Sequence, residues 1–478
     1  MLSDTKNMRD PNLQISFADL EFLHQGLRLD PTLQAISDFL DQHAETVARV
    51  RQDLQRGLKK PHTGRNGMDA DQTLRSLLLM RVKNWDYREL RERIADGYTL
   101  RRFTHFDSHP VPQHDAFNRA FHRLTPQTLE LLNRAVVQAA VALGIEDGSK
   151  LRVDTTVVET NVRYPTEATL LWDGVRVLTR LVEDLHQRLP NGITGFTNRT
   201  RCARRRMQEL QRLTPQQRQD QQVPKYRQLL RVTEQVVANA RQVLSQTEEI
   251  DGTDLIDSLV LDSLRLQIRH FCDLTDRVVD QTRRRVLEGE QVPSQQKLYS
   301  LFEPHTDLIK RGKAQKPVEF GHKVFLAESA QGLISDYRVL DGNPSDEDQV
   351  QVSLEQHQET FGHPPQLYGG DRGFYSPENV KRGEQAAVAL VCIPQRGGTK
   401  TPERKQFEKS PAFRKGQRFR AGIEGSISVL FRGRGMKRCL ASGRQRFEVF
   451  VGAAVLTNNL MRLAKLLRKR SARPSRAA

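Results

Sequence analysis

Three acidic residues stand in contexts from which a folded chain can bring carboxylates together on a metal ion. Asp154 lies within Leu151–Thr160, a run of valines and threonines that reads as a strand. Asp371 lies in Tyr368–Phe374, where a short strand leaves into a glycine turn, and Glu424 lies in Arg420–Ser428, a basic amphipathic segment. Magnesium prefers oxygen ligands in near-octahedral geometry and keeps several waters, so a few well-placed carboxylates hold it. Two such ions, roughly 3.5–4 Å apart, activate the attacking oxygen and stabilise the leaving oxygen in displacement at a phosphodiester. Taken singly, each acid has a plainer role, as a turn or edge aspartate or a solvated helical glutamate. The set of three is what points to a shared site.

The neighbouring residues suit that purpose. Small and β-branched side chains flank Asp154 and would hold it rigidly, and Gly373 permits a tight turn after Asp371. Ile423, Ile427 and Leu430 form an apolar helical face with Glu424 at its margin, able to reach a sheet while the helix stays packed. Arg420 stands one turn before Glu424, placed to pair with it or with a phosphate. Gly422 and Gly425 weaken this helix. Glu159 is a possible fourth ligand or a structural residue, and turn or cap roles account for Asp336, Asp341 and Asp346.

The elements that must position these acids follow a mixed α/β order. Residues 1–148 read as a helical N-terminal domain, with a break at Asn84–Asp86 and a Thr125-Pro126 helix start. Such a bundle suits either a helix-turn-helix DNA reader or dimer contacts. The first strand opens a core assigned to 149–170 and 302–440, and a helical insertion, 171–301, interrupts it. Paired apolar residues at 229–230, 236–237 and 243–244 give that insertion a seven-residue rhythm, and the Gln-rich 215–222 reads as a linker. Strands are expected at 318–326 and 333–340, joined as a hairpin at Gln331-Gly332, then at 366–368 and 387–393, with helices between them. A basic C-terminal tail, 441–478, closes the chain, and one central sheet covered by helices accommodates the whole order.

Charge supplies the partner. The net charge of the 478 residues is +17, and 396–478 alone carries 22 Lys/Arg against 4 Glu, or +18. A basic region this concentrated fits DNA or RNA, whose phosphates drive sequence-independent affinity. The four cysteines form no C-x-x-C pair, which argues against a zinc finger or a disulfide framework. Met1–Lys6 lacks the apolar core of a signal peptide and no apolar run approaches membrane-spanning length, so the cytoplasm is the expected compartment. No phosphate-binding loop or G-x-S-x-G nucleophile motif is present. The histidines at 105, 109, 114 and 122 read as packing or surface residues, and Trp172 as core.

Together the motifs resemble those of bacterial insertion-sequence transposases of the DDE class, ISNCY type. Asp154–Thr166 with Leu170–Val175 is similar to their first catalytic block, Gly369–Tyr375 to the second, and Arg420-x-x-x-Glu424 to the third. Residues 77–102 look like their helical N-terminal domain. The resemblance implies an RNase H-like catalytic core in which Asp154, Asp371 and Glu424 bind two Mg²⁺ or Mn²⁺ ions. It implies cleavage of double-stranded DNA at terminal inverted repeats and transfer of the freed 3′-hydroxyl into target DNA. It also implies a homodimer or larger assembly that joins two element ends, acting at the nucleoid. Related proteins carry a lysine about seven residues after the glutamate; Phe431 stands there, leaving Arg432, Arg434, Lys437 or Arg438, with Arg420, to contact phosphate. The 217 residues from Asp154 to Asp371 agree with a helical insertion. A decayed or domesticated DNA-binding protein and a metal-dependent nuclease without strand transfer are the alternatives.

Overall fold

The computed structural model describes residues 28–59, 67–190, 192–310 and 318–471, together with Phe17. Met1–Lys6 and the last part of the basic segment, 472–478, lie outside them. The chain forms two compact units, one from Met1–Val158 with His322–Ala478 and the other from Glu159–Gly321.

The first unit opens with helices α1 (Pro31–Gln42), α2 (Ala44–Gln55), α3 (Ala70–Lys83), α4 (Tyr87–Asp96), α5 (Tyr98–Phe103), α6 (His114–Phe121) and α7 (Pro126–Ala142). Their starts follow local chemistry. Asp30 and Asp86 accept from the first amides of α1 and α4, Asp69 and Gln72 form a reciprocal capping box on α3, and Thr125 caps α7 ahead of Pro126. Asn84 ends α3 in the left-handed region, at φ 56°, which produces the expected break before α4.

The chain continues through β1 (Lys150–Glu159) into α8 (Glu167–Arg188), α9 (Thr200–Gln211), α10 (Pro215–Thr247), α11 (Leu255–Thr282) and β2 (Asp307–Lys310). Leu229, Leu230, Val236, Val237, Val243 and Leu244 are buried in the apolar core of this second unit. The stretch 215–222 is not a linker but the start of α10, capped reciprocally by Thr214 and Gln217. Glutamine is a good helix former, and a polar first turn on a solvated face hides the apolar period that begins later.

The remaining elements are β3 (Val318–Ser329), β4 (Ile334–Val339), α12 (Gln349–Phe361), β5 (Leu367–Gly369), α13 (Pro377–Gln385), β6 (Leu390–Cys392), α14 (Pro402–Lys409), α15 (Pro411–Gly433) and α16 (Arg444–Ser471). The strand order is β2-β3-β1-β5-β6, with β4 also on β3. Strand β1 is parallel to β5 and β5 to β6, whereas β3 and β4 form an antiparallel hairpin. Side-chain alternation sets the two faces. Leu151, Val153, Phe325 and Ala327 pack with Val350 and Leu354 of α12. Val158, Val324 and Leu326 pack instead with Ile423 and Leu430 of α15 and Phe447, Val451 and Val455 of α16. Arg152 and Asp154 share the alternation of that second face.

Helix α16 is no tail. Phe447, Val451, Ala454 and Val455 join the core beneath the sheet, while Ala453, Leu456, Leu460 and Leu463 join that of the N-terminal helices. The many Lys/Arg in this region obscure an apolar pattern that serves two cores at once. Leu460→Ala should therefore lower stability by about 2–5 kcal/mol in a urea titration. A solvated tail would give a change within about 0.5 kcal/mol.

Candidate metal centre

Strand pairing places the two aspartates side by side. Strand β1 pairs with β5 only over Lys150–Arg152, opposite Leu367–Gly369. Asp154 lies two residues beyond the last pair, and the chain leaving β5 turns through Gly370 into Asp371. The open carboxyl end of parallel strands is where sheets of this kind bind ligands. Asp154 Oδ1 accepts from the Thr155 amide at 2.8 Å, and Asp371 Oδ1 from the Gly373 amide at 2.7 Å.

Helix α15 brings the third acid, and polar anchors fix its position. Gln417 Nε2 donates to the Gly370 and Cys392 carbonyls at 3.2 and 2.6 Å, holding the helix to the ends of β5 and β6. Under its middle, Arg152 makes a two-pronged pair with Glu328 of β3, at 3.0 and 2.7 Å. The same guanidinium donates to the Phe419 carbonyl at 2.8 Å and lies 4.8 Å from the Phe419 ring centre. Ser426 donates to Glu328 at 2.7 Å. The approach is so close that a Cβ on Gly422 would lie 2.1 Å from Arg152 Nη1, and one on Gly416 2.2 Å from Cys392 Sγ. Gly422 thus weakens the helix for a reason, since a side chain there would push the Arg152 guanidinium out of its present place.

The result is a cluster around Arg420. Its Nη2 lies 3.0 Å from Asp154 Oδ2 and 3.7 Å from Asp371 Oδ2, and its Nη1 lies 3.0 Å from Glu424 Oε1. Asp154 forms the floor, with its side chain 14 % exposed, and Glu424 the rim, at 66 %. Burial pushes the Asp154 carboxyl up to about 6; Arg420 opposes that shift, and the charges of Asp371 and Asp346 add to it.

Asp346 is the residue that sequence reading left as a cap. Its Oδ1 accepts from Thr155 Oγ1 at 2.9 Å and from Lys323 Nζ at 3.0 Å. A Cβ on Gly373 would meet Asp346 Oδ2 at 2.7 Å and Asp371 Oδ1 at 3.0 Å. No motif surrounds Asp346, and only the pairing of distant strands brings it here.

The other candidates are dispersed. Arg434 is buried and donates to the Val82 and Gly433 carbonyls at 3.0 and 2.8 Å, tying the end of α15 to α3 and leaving it unsuited to a phosphate. Arg432, Lys437 and Arg438 are exposed. Glu159 is the last residue of β1, in the second unit. Trp172 packs partly buried against the core of that unit, with Arg176 over its ring. His105 pairs with Asp71.

Among the described residues no three acidic, histidine or cysteine side chains are arranged as a ready metal site. A guanidinium occupies the centre instead. Three carboxylates around a single positive charge leave an excess of negative charge; the Asp154 carboxyl is raised first by burial and only secondarily by the charges of its acidic neighbours. Hard oxygen donors with surplus negative charge suit Mg²⁺ or Mn²⁺.

A family model described as a transposase domain (DUF772) matches residues 23–123, in the N-terminal helices. That match supports a transposase role for the chain. No curated protein and no solved structure matches it. Among the described residues no helix is long and apolar enough to cross a membrane.

A carboxyl that titrates near 6 when folded and near 3.8 otherwise binds its proton more tightly in the native state. Its charged form therefore costs stability above pH 6, and that cost is absent below about pH 4. Without metal, Asp154→Asn should stabilise the protein at about pH 8 by on the order of 3 kcal/mol. Calorimetry should show the gain vanishing as the pH falls through 6 towards 4; equal gains at both ends would contradict this electrostatic account.

Proposed function

We propose that the chain is a DDE-class DNA transposase of the ISNCY type, cleaving DNA at insertion-sequence ends and transferring the 3′-hydroxyl into target DNA. The observation that carries this reading is the meeting of Asp154, Asp371 and Glu424, from β1, the end of β5 and α15, around one guanidinium. The transposase-domain match at 23–123 supports it independently. The order β4-β3-β1-β5-β6, with an antiparallel hairpin on one side of β1 and parallel strands on the other, supports an RNase H-like core.

In this reading Asp154, Asp371 and Glu424 hold two Mg²⁺ or Mn²⁺ ions. Held there, such ions would supply Lewis-acid activation of an attacking oxygen and stabilisation of the leaving oxygen. The chain's own part is positioning. The anchored strand holds Asp154 at the floor, the Gly373 amide orients Asp371, and the Arg152–Glu328 pair fixes the height of Glu424. Arg420 and the exposed Arg432, Lys437 and Arg438 face the phosphates of double-stranded DNA, namely terminal inverted repeats and target. The helical domain, 1–148, contributes DNA binding or dimerisation, and a homodimer or larger assembly joins two ends. The second unit contains the insertion, 171–301, between the two parts of the core, 149–170 and 302–440. The protein acts in the cytoplasm, at the nucleoid.

Linear DNA bearing candidate inverted-repeat ends, incubated with Mg²⁺ or with EDTA, tests the proposal. Metal-dependent nicking followed by joining is expected. Asp371→Asn should lower the cleavage rate on the order of a thousandfold, or about 4 kcal/mol, with DNA affinity nearly unchanged. Nicking without joining would indicate a nuclease, binding without metal-dependent nicking would indicate a DNA-binding protein, and lost affinity in the variant would give Asp371 a folding role.

A further inference from the structure

Two arginines, Arg152 of β1 and Arg420 of α15 itself, lie between this helix and the sheet, and they are held differently. Arg152 meets Glu328 with two parallel hydrogen bonds and gives its remaining Nη1 to a backbone carbonyl. Arg420 touches each acid through a single oxygen, and its buried Nε has no hydrogen-bond partner. A guanidinium has five donors in a rigid fork suited to two-pronged pairing with carboxylate or phosphate. Arg152 is fitted to its surroundings, whereas Arg420 is held by charge and leaves part of its fork unused.

On the reading that these acids take divalent ions, we infer that Arg420 is an exchangeable counter-ion. In DNA-free protein its guanidinium occupies the acid cluster and opposes metal entry, and a DNA phosphodiester at the rim draws it away and frees the acids. Two observations support phosphate as the group that takes it over. Glu424, one turn along from Arg420, is largely exposed, so the cluster opens to solvent there. Arg414, Lys415 and Arg418 are exposed on the solvent-facing side of α15, and their positive charge draws a phosphate backbone to this helix. Positive charges in one cluster repel each other, and displacement by phosphate relieves that repulsion. Because linkage is reciprocal, DNA raises metal affinity and metal raises DNA affinity by the same factor. Metal binding is thereby biased towards the DNA-bound protein.

The test is Mn²⁺ binding to the full chain, read from the resonance of free Mn²⁺, with and without a double-stranded oligonucleotide. Ions bound by the DNA itself are subtracted using the same oligonucleotide mixed with Asp154→Asn. The wild type should bind Mn²⁺ at least about tenfold more tightly with DNA. Arg420→Met should bind about tenfold more tightly than wild type without DNA, and DNA should then add little. Arg420→Lys, which retains a shorter charge, should fall between, and a rise in melting temperature with Mn²⁺ but no DNA should report the same order among folded variants. Unchanged or weaker Mn²⁺ binding in both variants would overturn the inference. Tight DNA-independent binding by the wild type that Asp154→Asn abolishes would also overturn it while leaving the metal reading intact. Failure of every form to bind Mn²⁺, with or without DNA, would remove both.

Discussion

A carboxylate sealed inside a protein must be paired, and the pairing of Glu328 organises the rest of this site. Glu328 is 1 % exposed, on β3; Arg152, the neighbour of Asp154 on the same face of β1, meets it with both prongs. A buried pair of this kind adds little net stability, but removing one partner strands a charge in low dielectric. The pair therefore works as a locator. The same arginine reaches up to the Phe419 carbonyl and the same glutamate accepts from Ser426, so two sites on α15 are tied to two adjacent strands. Gly416 and Gly422 make the approach possible, and Arg420 and Glu424 are thereby set beside Asp154 and Asp371.

This arrangement concentrates like charge where solvent is scarce. Asp154 is held up by burial and by its acidic neighbours, and the protein tolerates that cost next to a well-packed frame. Helix α16 supplies much of the frame, joining the core under the sheet to that of the N-terminal helices. The segment matched to a transposase domain and the acid cluster thus belong to one compact unit, rather than to a reader on a flexible link.

Elements whose physics is local were legible in the sequence. Thr125-Pro126 announced the start of α7, Asn84–Asp86 the first break, Gln331-Gly332 the β3–β4 turn, and β-branched runs the strands. The three acids were picked out by their contexts, and the structure brings them together. What escaped depended on distant partners. The Gln-rich start of α10 looks like a linker because its polar face is genuinely solvated, and α16 looks like a tail because its basic residues outnumber its acids while its apolar residues divide between two cores. Arg434 read as a phosphate contact because nothing nearby in sequence reveals the Val82 carbonyl that takes it. Asp346 and the Arg152–Glu328 pair were invisible for the same reason.

Acids from three separate elements that share one cation site must all lie within reach of a radical formed at the bound ion. Replacing the metal with Fe²⁺ in the DNA-bound protein and adding ascorbate and peroxide generates radicals that cut the polypeptide close to the bound ion. A shared site should give three sets of fragments, ending near Asp154, Asp371 and Glu424, all suppressed together by excess Mg²⁺. Cuts at only one of these segments, or at none of them, would contradict it.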